Sequence, residues 1–240
     1  MKPTRIRWAA AVALALCSQA HGAAVMFNAP TNTATLLFSK SEDGAVLQAS
    51  VKFTLTNWTA TSATFATVVT NSSSGLGQNV LMAFGITAVS PTLTGASTNG
   101  AGWGAAIDKN FPSFQNIDLC VMTGNTCAGG SINDGIGMNT ISSFNLTLTT
   151  DASHNFMTQG IGFDSPYAVK FQGIGRTGGS DEFAGCISGT PGCGGGGGGG
   201  GAGGNNGDVP EPNALALIVI AALAAGLSRR ALGRFPRAAR

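Results

Sequence analysis

The feature that most constrains this chain is the spacing of its apolar residues. Val51, Phe53 and Leu55 alternate with Lys52, Thr54 and Thr56, and Ala63, Phe65, Thr67 and Val69 continue the same two-residue period. A period of two places one set of side chains on one face of a strand, so each run reads as a half-buried β-strand. The two flank a connection at Asn57-Trp58-Thr59, and Asn71-Ser72-Ser73-Ser74-Gly75 turns the chain again. Further strands are expected over 80–89, over 144–150 with Phe144, Leu146 and Leu148 on one face, and over 167–171. No segment between Phe27 and Gly207 sustains a 3.6-residue apolar period. Short Thr-rich strands separated by Gly, Asn and Ser turns predict an all-β fold, an antiparallel β-sandwich over residues 25–193. The less regular stretch from Pro91 to Asp134 is expected to form long loops over one end of the sheets, with Trp103, Phe111 and Phe114 capping the core.

The cysteines place that domain in a redox compartment. Cys17 falls in the amino-terminal segment, leaving Cys120, Cys127, Cys186 and Cys193. Both pairs are C-x6-C, and each second cysteine leads into glycine. Four cysteines permit three connectivities, of which two locally closed loops is the simplest and a Cys120–Cys186 link the contrary case. Closing so short a loop stabilises by roughly 2 to 3 kcal/mol on the chain-entropy model. Zinc ligation is disfavoured, because it usually needs closer cysteine spacing or several histidines, and the body of the chain holds His154 alone. No cofactor or metal is expected.

Only 10% of residues are charged, so solvation must come from hydroxyls and amides. The formal net charge of +2 hides a segregation: basic residues gather at the two ends, while residues 25–208 carry five basic and ten acidic side chains. A nucleic-acid partner requires clustered cations on the folded part, and that part is acidic.

Both ends read as export signals. Lys2, Arg5 and Arg7 precede an apolar run from Trp8 to Leu16 and then small residues, the layout of a signal peptide over residues 1–24. The apolar run is too short to span a bilayer, which takes roughly 20 residues. Residues 194–208 are nearly all glycine and read as a flexible linker, with a span of about 20 Å. Val209-Pro210-Glu211-Pro212 follows, then an apolar run over 214–227, then Arg229-Arg230 within an arginine-rich tail over 229–240. The apolar run predicts one short transmembrane helix of about 21 Å, less than a bilayer core. Because positive residues stay on the cytoplasmic side, the domain is expected outside the inner membrane.

Those last residues resemble a PEP-CTERM sorting signal, in which a Pro-Glu-Pro motif, a short apolar helix and a basic end occur in order. The resemblance covers residues 209–240 and implies recognition at Val209, Pro210, Glu211 and Pro212, with Arg229 and Arg230 as the basic stop. It also implies a transient partner, the membrane-embedded protease exosortase, then release or transfer toward the cell surface. The tail from Ala231 to Arg240 is longer than is typical of that signal. The body is similar to the cistern family of PEP-CTERM proteins through Ala83-Phe84-Gly85, Leu93-Thr94-Gly95-Ala96, Asn110-Phe111-Pro112, Ile117-Asp118-Leu119-Cys120, Cys127-Ala128-Gly129-Gly130 and Val169-Lys170-Phe171-Gln172. That family implies no catalytic activity.

Chemistry on the domain itself has few candidates. Asp108, Asp118, Asp134, Asp151 and Asp164 could supply the carboxylate pair of a glycosidase, but nothing in their spacing selects two, and most stand beside Gly, Asn or Ser as turn residues do. Asp151-Ala152-Ser153-His154 groups three triad residue types without a nucleophile-elbow pattern. The reading is therefore a non-enzymatic protein of the cell surface or exopolysaccharide matrix. A carbohydrate-binding or adhesive module, with Trp103 as the candidate ligand contact, is the alternative, and a secreted hydrolase ranks last.

Overall fold

A computed structural model describes residues 24–193. The signal peptide, the Gly-rich linker, the motif Val209–Pro212, the apolar run 214–227 and Arg229–Arg230 all lie outside the described residues. Twelve strands follow one another: β1 (Val25–Phe27), β2 (Thr33–Glu42), β3 (Ala45–Trp58), β4 (Ser62–Asn71), β5 (Ser74–Gly75), β6 (Gly77–Ser90), β7 (Gly95–Thr98), β8 (Trp103–Phe111), β9 (Gln115–Thr123), β10 (Thr140–Thr149), β11 (Ile161–Ile174) and β12 (Gly179–Ile187). A 3₁₀ turn at Ile132–Asp134 and one helical turn, α1 (Phe156–Gln159), complete the inventory.

The expected alternation appears in the packing. On β3 the residues Ala45, Leu47, Ala49, Val51, Phe53 and Leu55 point inward. On β4, Ala63, Phe65, Thr67, Val69 and Asn71 do so, and on β10 Phe144, Leu146 and Leu148. Each strand length was underestimated from sequence. β3 runs on through Trp58, past a bulge between Leu55 and Asn57, and the chain reverses at 59–61. There Thr59 Oγ1 accepts from Ser62 N at 3.0 Å.

Pairing is antiparallel throughout, in the order β7-β10-β4-β3-β2-β12-β11-β6-β9-β8, with β1 on β11 and β5 on β3. The sandwich expectation assumed two separate layers. Instead a single hydrogen-bonded path curls into a nearly closed, barrel-like sheet, because β12 changes partner. Most of β12 pairs β11, but Cys186 and Ile187 pair Leu37 and Leu36 of β2. Gly185 stands at the change: a Cβ there would lie 2.5 Å from Leu37 O and 2.4 Å from Phe38 Cδ1. The two ends of the path, β7 and β8, are consecutive in the chain. Thr98 Oγ1 donates to Trp103 O at 2.7 Å across their turn.

The stretch from Pro91 to Asp134 is not loop, as expected, but contains β7, β8 and β9. Small Gly104, Ala105 and Ala106 blunt the apolar signal on β8, and Asp108, with φ of +51°, interrupts its alternation. On β9 the alternation is masked because Cys120, between inward Leu119 and Val121, is buried as well.

The interior holds phenylalanines from both halves of the sheet. Phe27 lies 4.9 Å from Phe65 and 5.0 Å from Phe163 between ring centroids, Phe53 lies 5.3 Å from Phe163 and 6.0 Å from Phe84, and all four contacts are edge-on. Beside them the Tyr167 hydroxyl donates to Phe163 O at 2.9 Å, and burial, aided by the Asp164 charge, pushes its phenol well above the usual range. At one end Asp43 Oδ2 accepts from Arg176 N at 2.9 Å and Thr177 N at 3.2 Å, so the β2–β3 turn holds the β11–β12 turn.

Two substitutions test this arrangement by urea denaturation. Phe53→Ala, which empties the space between both halves, is expected to cost about 3 to 5 kcal/mol. Gly185→Ala is expected to cost about 1 to 3 kcal/mol by overpacking, although it adds only a methyl group.

Candidate functional site

The outer face of β6 and β11 is covered, which is unusual for a strand face that would otherwise meet water. Beyond the Ile86–Leu119 pair β9 leaves the β6 ladder, and the β8–β9 hairpin, still paired as far as Phe111 and Gln115, folds over this face. Asp118 Oδ2 takes the place of a strand partner by accepting from Val89 N at 2.8 Å. Gly85 lets the hairpin approach, since a Cβ there would lie 2.2 Å from Ile117 Cδ1. A second apolar cluster results, formed by Ala83, Phe111, Ile117, Cys120, Cys127 and Ala168, with Phe114 and Met122 packed on it. Phe111 and Phe114 therefore cap this outer layer.

Beneath the cover lies an ion pair. Lys170 on β11 and Glu182 on β12 are directly opposed, the Lys170 ammonium donates to Glu182 Oε1, and each side chain is 6% exposed. The second oxygen, Oε2, accepts from Ser113 N at 2.7 Å, so the hairpin tip completes the carboxylate's partners. Gly129 presses on the pair from the other side: a Cβ there would lie 2.8 Å from Lys170 Cε. Burial pushes the Glu182 carboxyl up, but the hydrogen bonds from Lys170 and Ser113 outweigh it, and the group is held below the usual carboxylate range. No sequence signal marks this pair, because two charges twelve residues apart meet only through the register of a hairpin.

Both disulfides form as local loops. Cys120 bonds Cys127 with Cα atoms 6.2 Å apart, and Cys186 bonds Cys193 at 5.7 Å. The first ties the segment leading to Gly129 against the cover. The second fastens the end of the described chain next to β2, where Ser188 N donates to Thr35 O at 2.8 Å.

Trp103 belongs to the closing seam. Its ring centroid lies 4.7 Å from that of Phe144 and 6.0 Å from that of Phe84, and its indole N–H donates to Ser142 Oγ at 2.9 Å. With Phe144 and Phe84 packed against the ring and the N–H engaged, it is not an open platform for stacking.

The carboxylates are turned to structure. Asp164 Oδ1 accepts from Ser165 N at 2.8 Å, and Asp118 serves Val89 as described. Asp134 sits in the 3₁₀ turn and Asp108 at the irregularity of β8. Asp151 Oδ1 contacts both His154 Nδ1 at 2.9 Å and Ser153 Oγ at 2.5 Å, while Ser153 Oγ also lies 3.1 Å from the same Nδ1. A relay needs Asp and Ser on opposite ring nitrogens. Here they share one, so the cluster is an exposed turn in which Ser153 and then His154 draw the Asp151 carboxyl down to about 2. Among the described residues no group of three or more His, Cys, Asp or Glu side chains is placed to hold a metal ion. Nor is any helix there long and apolar enough to cross a membrane.

The opposite half of the sheet presents a different surface. On the outward face of β4 and β10, Thr64 Oγ1 meets Thr147 Oγ1 at 3.4 Å, and Ala66 and Val68 are paired with Asn145 and Ser143. The loop after β7 rises beside them, joined by Asn145 N donating to Asn99 Oδ1 at 2.7 Å. A shallow open groove of about 450 Å³ runs between loop and strands.

Breaking the covered pair gives a measurable outcome. Glu182→Gln leaves a buried ammonium without its counter-charge and is expected to cost about 3 to 5 kcal/mol in denaturant titrations at neutral pH. Because the Glu182 carboxyl is lowered from its ordinary 4.5, its contribution is complete above that value and is lost as pH falls through the folded-state value. The wild type should lose stability below about pH 4.5 more steeply than the Gln variant does.

No family model, curated protein or solved structure matches the chain.

Proposed function

We propose that this chain is an exported, non-catalytic protein of the cell surface or extracellular matrix, delivered by its amino-terminal signal and sorted through Val209-Pro210-Glu211-Pro212 and the arginines that follow. The observation that supports this most is the pair of closed disulfide loops, Cys120–Cys127 and Cys186–Cys193, which persist in oxidising compartments and are rare in the cytosol. The low charge agrees with it: the domain is solvated by hydroxyls and amides, and its buried ion pair is sealed from substrate by a packed cover. On this reading the two halves of the sheet, hinged at β12, act as the two layers of a sandwich. The protease exosortase is the transient partner, and the inner membrane is a way-station.

Intact mass and fractionation of the protein from its native host test the proposal. The wild type is expected outside the inner membrane and without the segment after about Pro212, while Glu211→Ala keeps the arginine tail and stays anchored. If both forms keep the tail in the inner membrane, the sorting role is wrong.

A further inference from the structure

We infer that the outward face of β4 and β10, with the groove beside the Asn99 loop, is a binding surface for a neutral polysaccharide. The inference rests on the extracellular reading above, and it concerns a surface that borders the seam closed by Trp103, since Gly100 and Phe144, which line the groove, pack against the Trp103 ring.

The chemistry of the face selects the ligand. On the outward positions of β3, β4, β7 and β10, Lys52 is the one charged side chain among the described residues. It lies across from Val68 on the neighbouring strand. An anionic polymer would need a row of cations, and a protein partner would need aromatic or large apolar anchors at the centre of the patch. The groove supplies no row of cations, and its one aromatic lining residue, Phe144, is buried. The large exposed apolar side chain of the face, Ile141, stands two residues beyond Ser143 toward the strand end and not at the centre. Asn99 and Asn145 bring amides and Ser143 a hydroxyl, and Ala66 and Val68, paired with Asn145 and Ser143 on the neighbouring β4, give an apolar strip alongside.

That combination suits a sugar chain. Amides and hydroxyls are donors and acceptors at once, as sugar hydroxyls are, and the strip can take the C–H face of a ring. Asn99 Oδ1 is already engaged by Asn145 N, and Asn99 N donates to Asn145 O at 3.2 Å, so the loop is fixed to the strand before any ligand arrives. The floor is rigid too: Gly100 lies so close over Phe144 that a Cβ would be 2.7 Å from the Phe144 Cβ. Outward Thr64 and Thr147 extend the hydroxyl surface along the strands, at a side-chain repeat of about 7 Å along each strand. Each contact is weak, and a polymer binds by making many at once.

Affinity electrophoresis tests this with the full chain in the form its host accumulates. The gels contain dextran or laminarin as neutral glucans, or alginate as an anionic one. Retardation by at least one neutral glucan and none by alginate is expected. Asn145→Ala with Ser143→Ala should weaken retention about tenfold through the lost hydrogen bonds, whereas Lys109→Ala on β8 leaves it unchanged. Thermal melting checks that the variants fold, and near-isosteric Asn145→Asp, which places a carboxylate in the groove, should weaken retention if the double variant does not fold. No retardation by either neutral glucan, stronger retardation by alginate, or unchanged retention in a folded groove variant would overturn the assignment. So would a loss of retention that tracks dissociation of a dimer. A protein that is exported and trimmed yet not retarded overturns the groove alone. One that keeps its arginine tail in the inner membrane overturns the sorting role, whatever the gels show.

Discussion

Five phenylalanine rings, contributed by β1, β3, β4, β6 and β11, meet in the middle of this domain, and the curled sheet depends on them. A twisted antiparallel sheet can expose one face to water, but here the inward residues on both halves are mostly apolar, so neither half can remain open. Each ring removes on the order of 150 to 250 Å² from solvent, and edge-on contacts add to that burial. The rings touch only when β3 and β4 on one half face β6 and β11 on the other. Closing the sheet and filling the core are therefore one event, and the partner change of β12 is the covalently continuous corner that permits it.

The outside of the domain is solved differently on its two halves. Over β6 and β11 a hairpin and a disulfide loop lie on the sheet and bury a second apolar cluster together with Lys170 and Glu182. A buried ion pair is weak support for stability by itself, since desolvation offsets much of the attraction. What it supplies is register: the ammonium, the carboxylate and the Ser113 N–H are satisfied together only when β11, β12 and the hairpin tip are correctly seated. Across the domain, β4 and β10 stay open and are solvated by threonine, serine and asparagine, whose side chains hydrogen-bond to water without bringing charge. One half is thus closed by packing, and the other is left available for contact.

Much of the strand architecture was legible in the chain. The period-two runs located β3, β4 and β10, since a half-buried strand must alternate. The segments 80–89 and 167–171 pointed to β6 and β11, which are covered on both faces and do not alternate, and the repeated C-x6-C spacing made two local disulfide loops the simplest pairing. β8 and β9 were hidden because alternation encodes only strands with one dry face. β9 is covered on both, and β8 is built of small residues. The candidate site was scarcely legible: Trp103, prominent by residue type, is spent on the seam, while Asn99, Asn145 and Ser143 are common residues that matter by position.

By itself, then, the sequence determined the β class, the alternating core, the paired spacing of the cysteines and the sparse charge, because each follows from spacing or composition along the chain. The tertiary structure alone decided that the strands form one nearly closed path, that Lys170 meets Glu182 under a lid, and that an uncharged groove opens beside β10. These depend on which strands become neighbours, and that is set by the filling of the shared interior and by one glycine-permitted crossing at β12, neither of which any local pattern encodes.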